Sequence, residues 1–166
     1  MPPAFCLVHS SYSGESISAY NQGSLSIVSD APLNERRFLN YRLHLEPSSI
    51  DTAGWRIRKE TPNVALHYPW MQIHDCLIWV ADTALFNCSP ADTSVIFYFT
   101  DRDEPHFWKQ EELRNAFGHT VILGNNLSRK RRLWLHKQLS DSCRVFDLKD
   151  GAVIWREGVW WSYRSR

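Results

Sequence analysis

Short apolar segments separated by polar or proline-containing loops recur along the chain and predict a strand-rich protein. Residues 4–8 and 25–29 are short apolar runs, and apolar positions alternate with polar ones at 41–45 and 55–58. Alternation with a period of two is typical of strands with one buried face. Runs rich in β-branched and aromatic residues predict further strands at 64–68, 76–80, 95–99, 120–123 and 143–148.

Three segments predict helices. Residues 13–20 carry Ser13 as a candidate N-cap and place Ile17 and Tyr20 on one helical face. Residues 105–117 begin with a proline, which suits a first helical turn, and residues 128–139 begin with Ser128 as a candidate N-cap.

The C-terminal segment predicts a β-meander. Asp150-Gly151 is typical of a tight hairpin turn between residues 144–146 and 153–155, and Glu157-Gly158 predicts a second turn into residues 159–163. We therefore expect one strand-rich α+β domain over residues 1–166, with a few helices and this meander at its end.

Composition limits the classes of function. Apolar residues make up 43% of the chain and charged residues 22%, as in ordinary globular proteins. The net charge of +1 gives no overall attraction to nucleic acid. Local binding would need the basic run Arg129-Lys130-Arg131-Arg132, which is more typical of a solvated helix face.

The remaining composition predicts neither a metal site nor a membrane segment. The cysteines Cys6, Cys76, Cys88 and Cys143 show no zinc spacing. The N-terminus lacks a basic leader region, and the longest apolar run, 76–81, is too short to span a bilayer. We expect a cytoplasmic protein, either in its own cell or in a host cell after export.

Polar loops follow two of the predicted strands and define a candidate ligand crevice. Residues 100–104 follow the strand at 95–99, and residues 124–128 follow the strand at 120–123 and open a helix carrying Arg129. If the two strands are parallel neighbours, the loops meet at their carboxyl ends, where a helix start and Arg129 favour a phosphate.

Two plainer interpretations of these loops stay open. The sequence of residues 124–128 matches no Walker or dinucleotide fingerprint, and a polar loop before an N-cap is ordinary. The acidic residues Asp101, Asp103 and Glu104 with His106 suit a divalent cation, but acidic residues near a helix start are also expected from the helix dipole.

The N-terminal order of elements resembles the first half of ADP-ribosyltransferase domains of the histidine type, the group that includes diphtheria-toxin-like enzymes and some phage inhibitors. The similarity covers residues 5–50: a strand ending at His9-Ser10-Ser11, a short helix, the segment Gly23 to Pro32, and the strand at 41–45. The resemblance implies two β-sheets flanking a cleft that binds NAD as a substrate.

The resemblance also implies roles for individual residues. His9 would hold the ribose of NAD, Ser26 and Ser29 would brace the cleft, and Tyr20, Phe38 or Tyr41 would stack on nicotinamide. A late carboxylate would stabilise the oxocarbenium-like ribose. The candidates are Glu157 first, then Asp150 and Asp147, although Asp150 also suits a plain turn and Asp147 an outward strand position.

The sequence thus leaves three classes of function. The first is an NAD-dependent mono-ADP-ribosyltransferase acting on a target protein, as an effector, toxin or anti-defence factor. The second is a non-catalytic immunity or inhibitor protein that binds a partner protein through an aromatic-rich surface, since the chain holds eight tryptophans. The third is a nucleic-acid binder, which the near-zero net charge disfavours.

Overall fold

The computed structural model describes residues 4–8, 16–21, 24–29, 64–67, 70–73, 76–81, 95–100 and 107–163. The strands are β1 Phe5–Val8, β2 Ser16–Asn21, β3 Ser24–Ser29, β4 Val64–His67, β5 Trp70–Ile73, β6 Cys76–Ala81, β7 Val95–Phe99, β8 Thr120–Leu123, β9 Arg144–Asp147, β10 Ala152–Arg156 and β11 Val159–Tyr163. The helices are α1 Gln110–Leu113, which a 3-10 turn at Arg114–Ala116 extends, and α2 Arg129–Leu139. The strands expected at 41–45 and 55–58 lie outside the described residues.

The first sheet is antiparallel and brings together distant parts of the chain. Its strand order is β11-β10-β1-β2-β3, so the described N-terminal strand lies between β10 and β2. Cys6 pairs with Trp155 on one side and with Ala19 on the other. All three of these residues belong to one buried cluster, so the face of the sheet that carries them forms part of a core.

The helix expected at residues 13–20 is wrong, because residues 16–21 form β2. Ile17 and Tyr20 are three positions apart, as on a helical face, but Ile17 and Ala19 are both buried in the core and share a strand face. Pairing with β1 on one side and β3 on the other satisfies the backbone of this segment. An isolated helix of two turns is marginal, so the tertiary pairing decides the structure.

The second sheet has the order β4-β5-β6-β7-β8-β9. Strands β4, β5 and β6 pair antiparallel, whereas β6 to β9 are parallel. All five residues of β7 are buried. A continuous apolar run of this kind is typical of a parallel strand covered on both faces.

The two faces of β7 belong to different cores. Ile96 and Tyr98 pack in the cluster shared with the first sheet, while Val95, Phe97 and Phe99 pack in the cluster shared with α1 and α2. The described elements therefore form three layers: the antiparallel sheet, the mixed sheet and the two helices. The connections from β7 to β8 and from β8 to β9 contain α1 and α2, respectively, and both move in the same direction across the sheet. Connections between parallel strands are almost always right-handed, so both helices lie on the same face of the sheet.

The α+β class and the two sheets are confirmed, while the helix expected at 105–117 is shorter than predicted. Within the described part of that segment, residues 107–109 are not helical and α1 begins after Lys109, whose backbone N–H donates to Glu112 Oε2 at 2.7 Å. The reason is packing: the Trp108 ring meets the Phe99 ring edge to face at 5.0 Å. The helix expected at 128–139 is confirmed, and Ser128 Oγ caps it by accepting from the Arg131 N–H.

The expected hairpin at Asp150-Gly151 is wrong, although a turn is present. Strand β9 pairs parallel with β8 in the second sheet, and the Leu148 N–H extends this alignment by donating to Leu123 O at 3.0 Å. The turn then leads to β10 in the first sheet. A turn signal fixes where the chain bends, but not which strands pair after the bend.

The second C-terminal turn is confirmed as a two-residue hairpin loop. Arg156 pairs with Val159, so only Glu157 and Gly158 connect β10 to β11. Both residues have positive φ, 53° and 80°, as a type I′ turn requires.

Two leucines of α2 provide a matched test of the layered core. Leu135 is fully buried against the mixed sheet, whereas Leu133 is 61% exposed on the same helix. Leu135→Ala should lower the free energy of unfolding by about 2–5 kcal/mol because it leaves a cavity. Leu133→Ala should change it by less than about 0.5 kcal/mol. Urea denaturation followed by circular dichroism measures both, and equal effects would contradict the orientation of α2.

Candidate functional site

The carboxyl ends of β7 and β8 lie side by side, at the edge where the sequence predicts a ligand crevice. The two strands are parallel neighbours, as the prediction required, with Phe99 opposite Leu123. The described part of the first loop, Thr100, meets the loop at residues 124–128. The Gly124 N–H donates to Phe99 O at 2.8 Å. Thr100 and Asn126 bond each other across the loops, with Thr100 Oγ1 to Asn126 Oδ1 at 2.9 Å and Asn126 Nδ2 to Thr100 Oγ1 at 2.7 Å.

Gly124 sits where a side chain would be crowded. A Cβ at this position would lie 3.0 Å from Phe99 O and 3.1 Å from Asn126 Oδ1. The contact with Phe99 O is with backbone, which cannot easily move. The glycine therefore serves the close approach of the two loops.

Arg132 enters this crevice from α2 and holds its parts together. Its side chain is 7% exposed, and Nη1 donates to Asp147 Oδ1 at the end of β9, whose side chain is 12% exposed. Nη2 donates to Gly124 O at 2.6 Å and is 3.5 Å from Leu127 O. We call Arg132, Asp147, Gly124 and Leu127 the carboxyl-edge brace.

The charged groups of Arg132 and Asp147 are already engaged in the brace, so they are not available to a ligand. The Asp147 Oδ1 atom also accepts from the Lys149 N–H at 2.8 Å, so this carboxylate serves both the ion pair and the turn after β9. The bonds to a carboxylate and to carbonyl groups offset much of the cost of burying the Arg132 guanidinium, while its buried Nε has no hydrogen-bond partner. The arrangement acts chemically as a structural link between α2, the β8 loop and β9.

The other two candidate carboxylates lie apart from this crevice. Asp150 is exposed in the turn between the two sheets, and Glu157 is exposed in the β10–β11 hairpin loop. Phe5 pairs with Arg156, whereas Val8 pairs with Val153. Glu157 therefore lies near the amino end of β1, at the far end of the first sheet from the carboxyl end of that strand.

The residues expected to contact NAD are only partly described. His9, Phe38 and Tyr41 lie outside the described residues. Tyr20 belongs to β2 and pairs with Leu25. Ser26 pairs with Ala19 and Ser29 with Ser16 in the register of β2 and β3. Register positions 26 and 29 are an odd number apart and so belong to opposite faces of the sheet.

The expected cation site at residues 101, 103, 104 and 106 also lies outside the described residues. Within the described ranges no cluster of three histidine, cysteine or acidic side chains could hold a metal ion. None of the described helices is long and apolar enough to cross a membrane.

The basic run of α2 divides into different environments, which the sequence did not predict. Arg132 is buried in the brace, and Arg131 stacks on aromatic rings, with Cζ 5.3 Å from the Phe107 centroid and 4.5 Å from the Trp108 centroid. Arg129 and Lys130 are exposed. A nucleic-acid surface that uses all four side chains therefore does not form.

Exposed apolar side chains lie near the stacked arginine and elsewhere on the outer side of α2. Phe107 is 79% exposed, Leu133 61% and Trp134 38%. On a helix, residues three and four apart are neighbours, so Trp134 lies next to both Lys130 and Arg131. We call this set the α2 surface; it consists of Phe107, Arg129, Lys130, Arg131, Leu133, Trp134 and Lys137.

Helical periodicity is the signal that could have identified this surface. The buried positions of α2 are Arg132, Leu135 and Leu139, which follow the spacing of one helical stripe. A Leu-Trp pair off that stripe must face away from the core. The basic run itself does not distinguish Arg132 from its three neighbours, so the pair was not predicted as an exposed surface.

Cys143 precedes β9 and is partly buried. Its thiol donates to Ala116 O at 3.2 Å. Burial raises the pKa of this thiol to about 11, and a backbone hydrogen bond from Gly118 opposes the shift. A thiol with a raised pKa is a poor nucleophile at neutral pH, so Cys143 is not a candidate catalytic group.

The chain has no match among protein-family models, curated proteins or solved structures. Its function is therefore inferred from the geometry of its own residues.

The brace can be tested by removing one partner and then both. Arg132→Met should lower the free energy of unfolding by about 3–5 kcal/mol, because it leaves the Asp147 carboxylate buried without its cation. The double variant Arg132→Met/Asp147→Leu should regain a large part of that loss. Arg129→Met is the matched exposed control and should change stability by less than about 0.5 kcal/mol. Equal losses for Arg129→Met and Arg132→Met in urea denaturation would contradict the brace.

The raised pKa of Cys143 predicts slow alkylation. A shift from 9.0 to about 11 lowers the thiolate fraction at pH 8 by about a hundredfold. Iodoacetamide should thus label Cys143 slowly in the folded protein, and the rate should rise as the pH approaches 11. Peptide mass spectrometry measures the label, with urea-unfolded protein as the control. Equal rates in folded and unfolded protein at pH 8 would refute the shift.

Proposed function

We propose that this chain is a non-catalytic binding protein that engages another protein through the α2 surface. The observation that carries the proposal is the exposure of Phe107, which stacks with Arg131, and of Leu133 and Trp134 on the helix that carries Arg131. Grouped exposed apolar side chains rimmed by polar residues are typical of protein interaction sites.

The composition of this surface suits binding. Tryptophan, tyrosine and arginine are the residues most enriched among those that contribute strongly to binding energy. Arg131 is already held against Phe107 and Trp108, so less side-chain freedom is lost when a partner covers it. The α2 surface therefore offers an anchor that is partly organised before binding.

The crevice at the carboxyl edge supports a catalytic role less well. Among the described residues at this edge, the charged side chains of Arg132 and Asp147 bond each other, and the polar side chains of Thr100 and Asn126 do the same. Chemistry that used Arg132 or Asp147 would first have to break the brace. A structural link is the simpler role for these side chains.

NAD-dependent ADP-ribosyl transfer stays a prediction, because His9 and Tyr41 lie outside the described residues. A cytoplasmic location also stays a prediction. In the described part of the chain Glu157 has the backbone conformation of a hairpin loop, which gives it a structural role independent of catalysis.

Site-specific photo-cross-linking in the producing cell tests the binding proposal. A benzophenone side chain at position 134 should give one discrete adduct with another protein. Position 161 is the matched control, since Trp161 is also an exposed tryptophan, 56% exposed, but lies on β11 of the first sheet. No adduct at 134, or the same adduct at both positions, would refute binding through the α2 surface.

Incubation with labelled NAD tests the enzymatic alternative. If the chain is a binding protein, lysate proteins should acquire no label above background. Label transfer that is lost in both the His9→Ala and the Glu157→Gln variants would establish the transferase instead. Urea denaturation of both variants controls for loss of folding.

A further inference from the structure

We infer that the partner segment bound by the α2 surface is an acidic protein segment with an apolar anchor. This inference rests on the proposed function and specifies the chemistry of the partner. It follows from the arrangement of charge around Leu133 and Trp134.

The outer side of α2 carries cations without acidic residues among them. Arg129, Lys130 and Lys137 are exposed, and the helix sequence from Arg129 to Leu139 contains no aspartate or glutamate. Leu133 is four positions from Arg129 and from Lys137, and three from Lys130. The exposed apolar pair is therefore surrounded by positive charge on the helix surface.

The position of two of these cations on the helix strengthens the local field. Arg129 and Lys130 occupy the first turn of α2, where acidic residues are absent. The N-terminus of a helix carries partial positive charge, so cations there are unfavourable for the isolated helix. An anionic partner would relieve this repulsion, and the near-zero net charge of the whole chain makes the effect local to this surface.

A protein segment fits this surface better than a membrane or a nucleic acid. Leu135 and Leu139 face the core, so only Leu133 and Trp134 of α2 could enter a bilayer. Arg132 is committed to the brace, which leaves few cations for phosphates, and phosphate affinity depends on the number of neutralised charges. A phosphate backbone would also leave the apolar pair uncovered.

The spacing defines what the partner presents. Lys130 and Lys137 are seven positions apart, which is roughly 10 Å along a helix, and the apolar pair lies between them. The complementary segment carries acidic side chains about 10 Å apart on either side of a leucine or an aromatic residue. Such a segment places carboxylates on the lysines and its apolar side chain on Trp134.

Titration of isotope-labelled protein, followed by amide chemical shifts, tests the inference. The probe is a synthetic peptide with two glutamates on each side of a Leu-Phe pair, and its matched control has glutamine in place of every glutamate. The acidic peptide should shift the amides of residues 129–137 and bind at least about tenfold more tightly than the glutamine peptide. Binding of the acidic peptide should also weaken as the salt concentration is raised, because salt screens the attraction between exposed charges.

Charge reversal on the protein gives the second arm. Lys130→Glu/Lys137→Glu should lower the affinity for the acidic peptide at least about tenfold. The same double variant should bind a version of the peptide that carries lysine in place of glutamate. Lys149→Glu/Arg156→Glu changes the net charge equally at exposed positions outside the α2 surface and should leave binding of the acidic peptide unchanged. Equal loss in both double variants, or equal binding of the glutamate and glutamine peptides, would overturn the inference.

Other anions and the cross-link complete the design. Tighter binding of a short DNA duplex or of phosphatidylglycerol vesicles at residues 129–137 would overturn the protein assignment. If position 134 gives a protein adduct that Lys130→Glu/Lys137→Glu leaves unchanged, the acidic-partner inference fails while the proposed function stands. If position 134 gives no adduct in the unmodified background, the proposed function itself fails.

Discussion

The buried guanidinium of Arg132 is the constraint on which the C-terminal half of the structure depends. Removing this charge from water is costly, and the cost is offset because Asp147, Gly124 O and Leu127 O all bond to it. These partners lie on β9 and on the loop that joins β8 to α2. One side chain therefore fixes the rotation of α2, and with it the choice of residues that face outward.

The central strand β7 imposes the second constraint. It is buried along its whole length, so both of its faces must be covered. The helices cover Phe97 and its neighbours, and the antiparallel sheet covers Ile96 and Tyr98. Because the helices occupy one face, the chain after β9 must cross to the other face, where β10 joins β1. The burial of β7 thus accounts for the failure of the expected meander.

These two constraints divide the basic run of α2 and connect the fold to the proposed function. Arg132 stabilises the inside of the molecule, Arg131 is held by aromatic rings, and the remaining cations surround an exposed Leu-Trp pair. At the carboxyl edge, where an open parallel sheet usually binds its ligands, the described side chains bond in pairs, Thr100 with Asn126 and Arg132 with Asp147. The surface best suited to a partner is therefore the outer side of the helix rather than the edge of the sheet.

The sequence by itself determined most of the described strands, the capped helix α2 and the bends at Asp150-Gly151 and Glu157-Gly158, because these depend on local side-chain pattern and turn chemistry. It also predicted that the loops after β7 and β8 meet if the strands are parallel neighbours. Only the tertiary structure decided that residues 16–21 are a strand, that β9 and β10 belong to different sheets, and that Arg132 differs from Arg129. Each of these depends on contacts between residues far apart in the chain. Such contacts decide whether a short amphipathic segment pairs as a strand and whether a charge is buried or solvated.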